Sequence, residues 1–124
     1  MREFQTIFEA YGADYTATME RFMQNEALYL RLLGKLLSDD NLRLLGAALQ
    51  AGERPVAFDA AHTLKGVVGN LGLTPLYEAL CAIVEPLRTG DGQADYPTLY
   101  RDTEAEFHKA EDFWSALKEA NPDG

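Results

Sequence analysis

Apolar residues recur at helical spacing along nearly the whole chain, and β-branched residues are sparse. Strand-like alternation over several residues is absent, so the predicted fold class is all-α. A first helix is predicted over about 2–11, with Phe4, Ile7, Phe8 and Tyr11 on one side and Gly12 as its stop. A second spans about 14–23. A third starts at Asn25, a good N-cap, and carries Leu28, Leu32 and Leu36 with Leu33 and Leu37 beside them. Ser38-Asp39-Asp40-Asn41 reads as a turn that offers caps to a fourth piece over about 41–51, closed by Gly52. That piece either continues the third or stands as a separate short helix.

Pro55 opens the next helix, where its missing N–H costs nothing. Thr74-Pro75 repeats the signal, as a cap followed by proline, and that helix reaches about Arg88 before Thr89-Gly90-Asp91-Gly92. The last runs from about Pro97 to Ala120, with Leu99, Phe107, Ala110, Trp114 and Leu117 inward and Asn121–Gly124 as a frayed tail. The long pieces starting near Asn25, Pro55, Thr74 and Pro97 predict an antiparallel four-helix bundle with short additional N-terminal helices.

The length, 124 residues, suits a single domain over 1–124 that buries a core without metal or disulfide. The net charge of −9 disfavours nucleic acid and anionic membranes as partners. The single cysteine, Cys81, sits in an apolar run and reads as a small hydrophobe, since no local signature marks it as a nucleophile. Met1-Arg2-Glu3 opens no signal-like apolar run, and no stretch approaches the roughly 20 apolar residues of a spanning helix. A soluble cytoplasmic protein is the expectation.

The histidine helix, about 55–73, departs from ordinary composition. At about 100° per residue, Ala57, Ala61, Leu64, Val68 and Leu71 share one stripe, the predicted core face. His62 lies about 140° from Ala57, Gly69 near 120°, Gly66 near 180° and Lys65 near 80°. The histidine therefore belongs to the outward face, with Lys65 one turn away. Glycine within a helix costs about 0.8–1 kcal/mol relative to alanine. Packing gives no reason for Gly66 and Gly69 on that outward side, so the expectation is that they clear space beside His62. Imidazole is a good nucleophile near neutral pH. Phosphoryl transfer to it needs access, alignment and charge compensation, which the glycines and Lys65 offer.

The stretch Ala61-His62-Thr63-Leu64-Lys65-Gly66, continuing Val67-Val68-Gly69-Asn70-Leu71-Gly72-Leu73, resembles the motif of the histidine-containing phosphotransfer (HPt) family: His-x-x-Lys-Gly, five residues, then Gly. The helical layout is similar over most of the chain. The resemblance implies a four-helix bundle without ATP binding or autophosphorylation. His62 would be the phospho-acceptor through Nε2, Lys65 its electrostatic helper, and Gly66 the clearance. Phosphoryl groups would pass between receiver-domain aspartates, with response-regulator receivers or a hybrid sensor histidine kinase as partners. No cofactor is implied, since Mg²⁺ would be held by the partner receiver. Phe58, Thr63, Gly66 and Gly69 would contact that partner, Phe58 being either an exposed anchor or a bundle-edge core residue. A monomer is expected. Many members orient the imidazole with a polar group on the following helix; the matching position here is Val84, which cannot, leaving Glu85 or Glu78 as substitutes.

Three other readings compete. A degenerate relative would bind receivers or kinases without phosphotransfer. A metal or haem bundle would use His62 and His108, but no Glu-x-x-His pair surrounds them; His108 reads as solvated among Glu106, Lys109 and Glu111. An enzyme with paired carboxylates would need a convergent acidic set, whereas the acids are scattered along helix exteriors.

Overall fold

The computed structural model describes residues 2–120, and all regular structure among them is helical. The helices are α1 (Arg2–Tyr11), α2 (Tyr15–Arg21), α3 (Glu26–Leu37), α4 (Asn41–Ala51), α5 (Arg54–Asn70), α6 (Thr74–Thr89) and α7 (Tyr96–Ala120). The predicted tail, Asn121–Gly124, lies outside the described residues.

Local chemistry sets most boundaries. Asp14 and Asn25 cap α2 and α3 by accepting from the backbone N–H groups of Ala17 and Leu28. Asp14 is thus the cap of α2 rather than its first residue, and the helix stops at Arg21. Met23 and Gln24 follow with φ of 55° and 62°, the left-handed region that ends helical hydrogen bonding. The 38–41 turn separates α3 from α4: Asp39 accepts from the Asn41 N–H at 2.7 Å, while the side chain of Asp40 makes no cap bond. Thr74 does not cap α6, because it is the helix's first residue and Leu73 holds the cap position.

Helices α3 and α4 run in series along one side of the bundle. Tyr29 on α3 donates its hydroxyl to the Leu71 carbonyl at 2.7 Å, while α4 packs against the first half of α5. The long α7 spans both: Trp114 Nε1 donates to the Leu30 carbonyl at 3.1 Å and the Tyr100 hydroxyl to the Leu42 carbonyl at 3.0 Å. This pairing makes the α3–α4 run antiparallel to α7, and α5, α6 and α7 complete the antiparallel four-helix bundle.

The buried face of α3 is Tyr29, Leu30, Leu33 and Leu36. Leu28, Leu32 and Leu37 are half-buried at its edges, so the core stripe is rotated from the predicted one. On α7, Phe113 is in the core, and Trp114 sits half-buried at the α3 seam under the Lys118 ammonium, 3.6 Å from its ring. Burial holds the Tyr29 hydroxyl far above its ordinary pKa, so it stays a neutral donor.

The N-terminal helices belong to this core. Phe8 is fully buried, with ring centroids 5.3 Å from Tyr15, 5.3 Å from Tyr29 and 5.0 Å from Phe113. Phe8→Ala is expected to cost about 3–5 kcal/mol, a large share of a typical 5–15 kcal/mol total, measured by urea unfolding. A loss below about 1 kcal/mol, the range of a peripheral contact, would contradict this role for α1.

Candidate functional site

Helix α5 packs through small side chains. Ala57, Ala60, Ala61, Leu64 and Val68 are buried, and the alanines let α4 and α6 approach closely. The opposite side carries His62, exposed as the wheel predicts, with Gly66 exposed and Lys65 half-buried beside it. The helix ends at Asn70, three residues before the predicted limit, and Gly72 follows with φ of 70° as the stop of α5 rather than part of it.

The imidazole of His62 stacks on Phe58, one turn earlier, with ring centroids 5.3 Å apart and planes 20° from parallel. Phe58 is itself half-buried against the core, and the Arg88 guanidinium lies 5.3 Å from its centroid. No hydrogen bond reaches the His62 ring among the described residues. Val84 is wholly buried in the core and does not reach the surface. Glu85 pairs with Arg88 at 3.3 Å.

A groove opens on the α2–α6 side of His62. Its lining includes Arg21 from α2, Lys65 and Gly66 from α5, and Tyr77 from α6. Arg21 also donates to the carbonyls of Gly69 and Asn70, which ties α2 to the C-terminal end of α5. The Lys65 ammonium stands 6.0 Å from the centre of the Tyr77 ring. Against a chain charge of −9, this groove gathers two cations and one acid, Asp14.

The two glycines have different roles. A Cβ on Gly66 would meet nothing within 4 Å, so its bare backbone faces open space. A Cβ on Gly69 would lie 3.0 Å from the Tyr77 ring. Gly69 therefore does have a packing reason: it seats Tyr77, and the half-exposed ring covers that stretch of helix. Thr63 is exposed but lies on the other slope of α5, in a recess with Leu32 and Lys35 of α3, so it does not share the groove. Phe58, Lys65 and Gly66 adjoin His62; Thr63 does not.

His108 lies apart on the exposed face of α7, with Nδ1 2.9 Å from Glu111. Its pKa is raised, first by that hydrogen bond and then by the Glu111, Glu104 and Asp112 charges. Glu111→Gln is expected to lower the His108 titration midpoint in an NMR pH series and leave the His62 resonances unmoved. A raised pKa contributes stability below the unfolded value that disappears as pH rises through the folded one. At this exposed site that contribution is small. Among the described residues, no group of three or more His, Cys, Asp or Glu side chains is placed to hold a metal.

The family model described as "Hpt domain" matches residues 31–119, well over half of the chain and including all of α5. The chain belongs to the Hpt domain family. Hpt domains are phosphocarriers rather than kinases, and they work with receiver domains and kinases in two-component signalling. A phosphotransfer-type role in such signalling follows from membership. Comparison with curated proteins and with solved structures gave no significant match. Among the described residues, no helix is long and apolar enough to cross a membrane.

The matched segment starts inside α3, so the α2 wall of the groove lies outside it. Sequence reasoning missed Arg21, because its bonds to α5 cross 48 and 49 residues without a local signal. The stacking of Phe58 under His62 does have a local signal, an aromatic four residues before the histidine on the same helix.

Proposed function

We propose that this Hpt domain is a phosphorelay intermediate that takes a phosphoryl group onto His62 from a receiver aspartyl phosphate and passes it to a second receiver. The observation that carries this reading is the exposed imidazole next to the open backbone of Gly66, with Lys65 lining the same groove.

The chemistry asks little of the protein beyond placement. The tautomer that reacts carries its proton on Nδ1, which leaves the Nε2 lone pair free. Nε2 forms a bond to phosphorus while the bond from phosphorus to the acyl oxygen breaks, and the aspartate leaves as a carboxylate with the electron pair. No proton needs to move, and the product is a phosphoimidazolium. Lys65 offsets charge on the phosphoryl oxygens, and Gly66 admits the partner loop that carries the aspartate. The receiver supplies Mg²⁺ beside its own aspartate. The return transfer reverses each step.

The domain, taken as one unit over 1–124, acts in the cytoplasm as a monomer, with response-regulator receivers or a hybrid sensor kinase as its partners. The test is incubation with a panel of phosphorylated receiver domains. At least one receiver is expected to lose label to this chain, in a bond stable to alkali and labile to acid. Receivers that bind while label never moves would favour the degenerate, binding-only reading. An acid-stable bond would place the phosphate on another residue type.

A further inference from the structure

We propose that Phe58 is a positioning residue for His62: its ring is the platform that fixes the plane of the imidazole and takes the place of a polar orienting group on α6. The inference rests on the relay reading for its functional consequence, though the stacking itself can be tested without it. A nucleophile on an exposed helix face needs something to restrict its ring. The usual device is a hydrogen bond to one ring nitrogen. Here no hydrogen bond reaches the ring among the described residues, Val84 is in the core, and Glu85 is engaged with Arg88.

What touches the imidazole face is Phe58, at 5.3 Å and 20° from parallel. Phe58 is well suited to the task because it is itself held. It packs half-buried against the core, and the Arg88 guanidinium lies 5.3 Å from its ring centre. A stacked arrangement restricts the ring plane yet leaves both nitrogens at the edges unbonded to protein. Nε2 then stays available to phosphorus. An offset stack of this kind also tolerates the positive charge that the imidazole acquires on phosphorylation, since an aromatic face attracts cations.

Orientation and docking make different kinetic predictions. Single-turnover transfer from a phosphorylated receiver is measured over a range of chain concentrations for wild type, Phe58→Leu and Phe58→Tyr. If Phe58 positions the ring, Phe58→Leu lowers the maximal transfer rate on the order of 10-fold and leaves the half-saturating concentration unchanged. Phe58→Tyr keeps the wild-type rate, because the platform remains. The second readout is the His62 ring in NMR without any partner: its protons lose the aromatic ring-current shift in Phe58→Leu and keep it in Phe58→Tyr. Phe58→Met replaces the leucine variant if that one unfolds.

A raised half-saturating concentration at an unchanged maximal rate would make Phe58 a docking contact and overturn the proposal. An unchanged rate in Phe58→Leu would also overturn it, as would His62 protons that do not move. Failure of the wild type to accept label from any receiver would sink the relay reading instead. In that event the ring-current comparison still decides whether Phe58 holds the imidazole.

Discussion

Replacing His62 with glutamine is expected to abolish acceptance of phosphoryl from receivers, by on the order of 1000-fold or more, while the fold stays intact. Glutamine offers no nucleophilic nitrogen of comparable strength, because its amide lone pair is delocalised. It also keeps a polar, helix-compatible side chain on an exposed face. Surface substitutions of this kind change stability within about 0.5 kcal/mol. Circular dichroism and urea unfolding should therefore match wild type while label transfer falls to background. Partial labelling of His62→Gln would mean that another residue accepts the phosphate.

The second large effect concerns Gly66. It stands in the interior of α5, one turn from His62, with nothing within 4 Å of where a Cβ would sit. Gly66→Ala should stabilise the domain by about 0.8–1 kcal/mol, since alanine removes the backbone entropy cost and meets no clash. Gly66→Phe also folds, because its ring projects into solvent. That ring stands where the partner's aspartate must approach, so transfer is expected to fall roughly 100-fold. Stability and activity then move separately at one position, as they do where a sequence holds a destabilising residue for function. Urea midpoints paired with single-turnover rates on both variants check this. Wild-type transfer by Gly66→Phe would remove the reason given for the glycine.

Much of the bundle was legible because its signals are local. Asn25 as a cap, Gly52 and Gly90 as left-handed stops, and Pro55 in the first turn of α5 each act within one helical turn. The exposed face of α5 was equally readable, since the wheel angle of His62 follows from spacing alone. The same wheel places Thr63 about 100° from His62, which is why it falls on the far slope and not in the groove.

What the sequence hid depends on long-range contact. The packing role of Gly69 exists only because Tyr77, on the next helix, leans over it. Arg21 reaches α5 from a helix that pattern reading could only regard as a lead-in. The core stripe of α3 was rotated for a similar reason. The chain of leucines suggested one face, whereas burial of Tyr29 with its hydrogen bond to Leu71 selects another.

Phosphate taken up by this chain is expected on His62, and with only two histidines present, ring NMR resolves it directly. After transfer from a phosphorylated receiver, the ¹⁵N and ¹H signals of the His62 ring should shift to those of an Nε2-phosphorylated imidazole while His108 keeps its own. Unchanged signals from His62 in a chain that carries phosphate elsewhere, or the same shift appearing on His108, would rule out His62 as the phosphate carrier.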